Sequence, residues 1–312
     1  MAYRLAEHWI WDSWLADAGD ERHLFHLQAP RSLGDPDLRH RNATIGHAVS
    51  RDLVSWTTLP TALEAGPPGA WDGLATWTGS VIEAGGTWYL FYTGIAAGTL
   101  ERVQQIGVAT SRDLVHWERL GDAPVIAPDP RWYVVNDGTG PVNQAWRDPW
   151  VFRDPAGDGY LALITATGLT GPRDGRGVIG HAVSADLLHW EVRPPIEAPS
   201  GFGELEVPGV MRVGDDVLLS FSAGEASLSA ARRAARPGTG TYVVRARHEL
   251  GPFRIEASQS LAPVSPLYAG HAVRGWDGTP VILGFVGLVD GRFVGELADP
   301  QPLEIGTIPK AS

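Results

Sequence analysis

One phrase recurs in this chain and restricts what it can fold into. GHAVSRDLVSW begins at Gly46, GVATSRDLVHW at Gly107 and GHAVSADLLHW at Gly180, 61 and 73 residues apart. A shorter echo, GHAVRGW, begins at Gly270, 90 residues further on. The shared core is Ser-x-Asp-Leu-x-x-Trp. Self-similarity at this scale is the signature of a repeat architecture. The apolar run reads as a strand entering a turn, with Asp52, Asp113 and Asp186 bonding turn backbone through their carboxylates. Leu53, Leu114 and Leu187, with Trp56, Trp117 and Trp190, then fill the repeating unit. At roughly 62 residues per unit, 312 residues hold about five.

The sequence between the repeats is β-rich. TWYLFYTGI (87–95), GYLALITAT (159–167), DVLLSFSAG (216–224), TYVVRARHE (241–249) and PVILGFVGL (280–288) are short strand-like runs punctuated by Gly, Pro, Asp and Asn. The one helical candidate is ASLSAARRAARPG (226–238). Together these predict an all-β, five-bladed β-propeller spanning 1–312 as a single domain, with its site at the central funnel and no C-terminal β-sandwich. The net charge of −11, without a basic run, argues against nucleic acid and anionic membrane surfaces as partners. No apolar stretch approaches a membrane span. The chain has no cysteine, and no signal peptide is evident at its N-terminus, so a cytoplasmic location is expected. Thirteen tryptophans supply core, and flat rings on which sugars stack.

Residues that do not repeat are candidates for chemistry. HWIWDSW (8–14) sets Asp12 among three tryptophans, WRDPWVF (146–152) holds Asp148, and GELEVPGV (203–210) holds Glu204 and Glu206. Each has an ordinary reading: Asp12 as a turn or cap, Asp148 before Pro149 as a turn start, Glu206 as a solvated strand residue. Glu204 and Glu206, two apart, share a face if the segment is a strand. A propeller points its inner strands at the central channel, so an acid from each of three blades could converge at one mouth. Converging carboxyls are the apparatus of glycoside hydrolysis, one protonated to donate and one ionised to attack or to activate water.

The order WDSW, TWTGS (76–80), WRDP and ELEVP resembles clan J of the glycoside hydrolases, families 32 and 68, the invertases, levanases, inulinases and levansucrases. TWTGS carries Thr78 where the family motif has its first serine, and Val207 stands where family 68 has arginine. HLFHLQAP (23–30) is similar to a family 32 segment bearing a substrate-contacting glutamine. The resemblance implies a five-bladed propeller acting on β-fructofuranosides by retention, with fructosyl transfer as a further outcome. It implies Asp12 as nucleophile, Glu206 as acid/base, and Asp148 with Arg147 as the pair that binds ring hydroxyls. Trp11, Trp77, Ser80, Gln28, Glu204 and His271 are the implied or candidate sugar contacts. No cofactor and no metal are expected.

Two other readings stand beside this one. The five-bladed families 43 and 62 cleave arabinofuranosides and xylosides by inversion, and His271 in YAGHAV could be the channel histidine common in family 43. A sugar-binding propeller without turnover is the third. In all three the partner is a small carbohydrate, whose selection beyond the first sugar falls to loops 29–44, 128–145, 168–178 and 225–240. Arg31, Arg39, Arg41, Arg131, Arg173 and Arg176 lie in those loops.

Overall fold

The computed structural model describes residues 2–99, 103–135, 145–235, 238–261 and 267–310. The 128–145 loop therefore lies partly outside the described residues, as do two positions of the 225–240 loop and of the 226–238 helical candidate. Within that candidate the chain forms a short helix, Ala230–Ala235.

Five four-stranded antiparallel sheets follow one another along the chain. Blade one is His8–Asp17, Arg22–Pro30, Thr44–Ser50 and Thr57–Leu63. Blade two is Ala75–Ala84, Thr87–Ile95, Gln104–Ser111 and Glu118–Arg119. Blade three is Trp146–Arg153, Tyr160–Thr167, Gly177–Ser184 and Trp190–Arg193, and blade four is Glu206–Val213, Asp216–Ala223, Gly240–Ala246 and Gln259–Ser260. Blade five contains Leu267–Arg274, Pro280–Val289 and Arg292–Leu297, with Gln301–Pro302 also pairing on Pro280–Val289. The first strand of each blade packs against the first strand of the next, and blade five against blade one. The architecture is the five-bladed propeller that the repeats predict. Tyr3, ahead of blade one, exchanges backbone hydrogen bonds with Leu297 of blade five, which helps to close the ring.

The repeat is the turn between the third and fourth strands of blades one, two and three. In blade three the Ser184 hydroxyl accepts from the amides of Asp186 and Leu187 at 3.2 and 2.9 Å, and Asp186 accepts from Leu188 and His189 at 2.9 and 2.8 Å. These bonds hold Leu53, Leu114 and Leu187 at φ of 64, 66 and 68°, a region β-carbons disfavour, while each leucine side chain is buried. The Trp117 ring meets Phe25 of blade one edge-on at 5.6 Å, and Trp190 meets Phe91 of blade two at 5.5 Å. The repeated tryptophans thus join neighbouring blades. Five apolar clusters lie where successive blades meet, which is why most strands are apolar on both faces.

The echo at Gly270 is not equivalent to the others. His47 and His181 stand on third strands, whereas His271 stands on the innermost strand of blade five. Four matching letters there do not continue into the Ser-x-Asp-Leu turn.

Candidate active site

Each innermost strand breaks register once in its N-terminal half. The breaks fall between Trp11 and Ser13, Trp77 and Gly79, Arg147 and Trp150, Glu206 and Gly209, and Tyr268 and His271. Asp12, Asp148, Val207 and Ala269 take φ of 25, 57, 51 and 48° at these points, a conformation unusual for residues other than glycine. A bulge re-aims the side chains beside it. Here five bulges bring Asp12, Thr78, Arg147 with Asp148, Glu206 and Tyr268 together, one contribution from each blade.

The Thr78 hydroxyl donates to Oδ2 of Asp12 at 2.6 Å. Asp12 keeps some solvent contact but is walled in by protein. Burial, then the Asp148 carboxylate, pushes its carboxyl up to about 7, against the pull of Thr78, Arg39 and Arg147. Asp148 is fully enclosed. Its Oδ2 accepts from the Thr165 hydroxyl at 2.9 Å and the Val207 amide at 3.0 Å, and its own amide donates to Thr93 at 3.0 Å. Burial raises its carboxyl, while Arg147 and these donors favour the ionised form.

Arg147 ties the acids into one network. Its guanidinium donates to both oxygens of Glu204 at 3.0 and 3.3 Å, and lies 3.5 Å from Asp148 and 3.6 Å from Glu206. Burial opposes its charge, but three carboxylates raise its affinity for the proton. Burial also opposes ionisation of Glu204, yet the bidentate Arg147 contact holds that carboxyl below its ordinary value. Glu206 goes the other way: burial first pushes it up to about 8, and the neighbouring Glu204 and Asp148 charges add to this against Arg147 and Tyr268. Its Oε2 accepts from the Tyr268 hydroxyl at 2.6 Å and its Oε1 from Ser227 at 3.4 Å. The pair two residues apart is thus split into an ionised anchor and a proton-holding acid.

Four sequence candidates are engaged elsewhere. Gln28 donates to Thr61 at 3.1 Å, crossing Gly46, where any β-carbon would meet its amide oxygen at 2.4 Å. Ser80 accepts the Val151 amide at 2.9 Å and pins blade two to blade three. Trp11 is buried in the core between blades one and two, so its indole is packing more than pocket wall. His271 is stacked on Trp150 at 4.5 Å and fills the space over Gly209, whose β-carbon would come 2.4 Å from Nδ1. It bonds none of the acids, and burial holds it neutral with a value near 4. Trp77 stays partly exposed and donates its indole N–H to the His40 carbonyl at 2.7 Å.

Tyr268 and Ser227 went unmarked in the sequence, as did Thr165 and Thr93. The one textual hint for Tyr268 is its place just ahead of the GHAV echo. Of the loop arginines, Arg31 donates to the Leu5, His8 and Val294 carbonyls, Arg131 pairs with Asp129, and Arg39 lies close enough to Asp12 for the two charges to act on each other. Among the described residues no group of three or more His, Asp or Glu is arranged to hold a metal, and no helix is long and apolar enough to cross a membrane.

Residues 15–292 match the model of the glycosyl hydrolases family 32 N-terminal domain, a span that starts just after Asp12. β-Fructofuranosidase 1 of Zea mays is 32% identical over 163 residues, 44% of this chain and 23% of that protein. The 6(G)-fructosyltransferase of Asparagus officinalis is 34% identical over 138 residues, 38% of this chain and 21% of that protein. The matched stretches therefore span under a quarter of these curated relatives. Among solved structures, an inulosucrase from Halalkalicoccus jeotgali bound to kestose aligns with a TM-score of 0.73 at 23% identity, over 93% of this chain and 80% of that one. A Bombyx mori β-fructofuranosidase aligns with a TM-score of 0.74 at 20% identity, over 100% of this chain and 64% of that one. At these identities the structural likeness speaks for the fold. The family model, which covers most of the chain and reaches into all five blades, speaks for kinship: the chain belongs to glycosyl hydrolase family 32.

Proposed function

We propose that the protein is a retaining glycoside hydrolase of small β-fructofuranosides. The observation that carries the reading is the junction of five bulges, where Asp12 and Glu206 face different neighbours. In the first step an oxygen of ionised Asp12 attacks the anomeric carbon of the fructosyl unit. The bond to the leaving oxygen breaks, and Glu206 hands its proton to that oxygen. A covalent fructosyl ester on Asp12 results. Glu206, now ionised, takes a proton from water, the hydroxide attacks the same carbon, and the ester bond breaks to regenerate Asp12. A sugar hydroxyl in place of water gives transfer, in keeping with the fructosyltransferase among the relatives. Asp148 is acceptor-only when ionised and is held by Thr165 and Val207, so it suits a clamp on two sugar hydroxyls. Arg147, anchored by Glu204, keeps that clamp charged and stabilises the developing transition state.

The test is early-time proton NMR on sucrose, kestose, short levan oligosaccharides and aryl arabinofuranosides. Fructose released first as the β-anomer, and lost with Asp12→Asn, supports the proposal. Arabinose released with inversion would overturn the nucleophile role, and binding of the panel without turnover would make the protein a lectin-like propeller.

A further inference from the structure

The segment between the second and third strands of blade one carries a feature that the mechanism above does not use. Pro36–Asn42 forms a 3-10 turn that sets Arg39 and His40 against the strands bearing Asp12 and Thr78. The His40 ring meets Trp11 edge-on at 6.0 Å and Trp77 edge-on at 6.0 Å, so it bridges the residues that precede Asp12 and Thr78 in the chain. The His40 carbonyl takes the Trp77 indole N–H, which fixes the segment over blade two. Arg39 lies with its guanidinium 4.1 Å from the Phe293 ring centre and 5.7 Å from that of Trp11. One terminal nitrogen donates to the Pro36 carbonyl at 2.8 Å and lies 3.7 Å from Asp37. Its Nε is buried and has no hydrogen-bond partner among the described residues.

A buried guanidinium N–H without an acceptor is costly unless an acceptor arrives. Aromatic faces hold this cation in place, so it is preorganised. Asp12 is near enough for each group to shift the other's proton affinity, yet the two form no ion pair. Arg39 packs on Trp11, the residue before Asp12, so a ligand seated at Asp12 is the nearest source of an acceptor. Asp12 lies beside Asp148, and Arg147 ties Asp148 to Glu204 and Glu206, so a phosphate beside Asp12 would meet a carboxyl-rich site and be repelled. A neutral sugar hydroxyl or ring oxygen would not.

We propose that Arg39 is a substrate-positioning residue whose Nε–H takes an oxygen of the sugar seated at Asp12, with His40 forming the adjacent wall between Trp11 and Trp77. It fills the part that the Gln28 amide, engaged by Thr61, does not play. The proposal rests on the sugar-processing reading above but not on fructose in particular.

Sugar affinity is measured by calorimetry in the Glu206→Gln background, with and without Arg39→Lys and Arg39→Met, using sucrose, kestose and arabinofuranosyl oligosaccharides. Turnover of the same panel is followed in the background-free proteins. Loss of a charge-assisted bond weakens binding by about 10- to 100-fold in both variants, because lysine cannot present a planar N–H at that point. KM then rises at least as much as kcat falls, while thermal melts of Arg39→Lys stay near those of the parent. Unchanged affinity and KM in Arg39→Lys would overturn the proposal. So would weakening in Arg39→Met alone, which would reduce Arg39 to a charge that tunes Asp12. If the parent binds arabinofuranosyl sugars and no fructosides, the fructoside reading fails while the Arg39 comparison still decides its own question. A parent that binds no member of the panel overturns both.

Discussion

Asp12 and Glu206 share a cause for their raised values, burial, but their neighbours set different tasks. In the proposed double displacement Asp12 acts ionised and Glu206 acts protonated. With Asp12 near 7 and Glu206 near 8, kcat/KM should follow a bell whose acid limb belongs to Asp12 and whose alkaline limb belongs to Glu206. Thr78 and Tyr268 each favour the ionised form of the carboxyl they touch. Thr78→Val should move the acid limb upward and lower kcat/KM by about tenfold. Tyr268→Phe should move the alkaline limb upward, because Glu206 loses a donor to its charged form. Limbs that stay put in both variants would separate these hydroxyls from the titrating pair. At this scale the acids could be read from the sequence, because unique carboxyls among aromatic and apolar neighbours stand out against repeated ones. Gln28 and Ser80 could not be placed the same way. Whether an amide meets a sugar or Thr61 depends on a glycine eighteen positions on, and nothing near Ser80 in the chain announces the Val151 amide.

Strands and turns were legible wherever their chemistry is local. Ser-x-Asp-Leu carries its own hydrogen bonds, so three copies announce three turns of one kind. The bulges were not legible, because each is a mismatch between two strands of one blade and exists only once they pair. The echo at Gly270 misled for the same reason: a strand's letters do not say which lane of a blade it occupies. The turns also define what a purely structural substitution should do. The site lies toward the N-terminal ends of the innermost strands, and the third strands run parallel to these, so the repeat turns sit at the opposite face of the ring. Ser184→Ala removes the acceptor for the Asp186 and Leu187 amides and should destabilise the fold by about 1 kcal/mol. Urea titration reads that loss, and kcat and KM should match the parent. A change in KM would mean that the far face of blade three is coupled to the acids.

Over the whole ring, buried imidazoles and buried carboxyls pull stability in opposite directions with pH. Burial depresses His23, and holds His26 and His271 near 4 and His40 and His47 near 3. A group whose folded value lies below its unfolded one gives stability that is present above the unfolded value, here 6.5, and is lost as pH falls toward the folded one. Asp12 and Glu206 do the reverse: their folded values lie above the unfolded 3.8 and 4.5, so they cost stability as pH rises from there toward 7 and 8. His181 is also depressed and Asp148 also raised, so six imidazoles stand against three carboxyls. Counting the four imidazoles near 3 and 4 against Asp12 and Glu206, the unfolded and folded chains hold about the same number of protons at pH 6.5 and the unfolded chain roughly two more at pH 5.5, a slope that steepens to about 2 kcal/mol per pH unit. The melting temperature should fall by about 2 to 4 °C over that unit. Asp12→Asn isolates the opposing arm. At pH 5 the folded parent already carries a neutral carboxyl at this position, so the amide gains little. At pH 8 the parent must either hold a proton against solvent or bury a charge beside Asp148, and the amide does neither. The variant should therefore melt higher than the parent at pH 8, and by a smaller margin at pH 5, while turning over no substrate. Equal margins at both pH values would show that Asp12 titrates in the folded ring as it does in the unfolded chain, and would remove burial as the source of its reactivity.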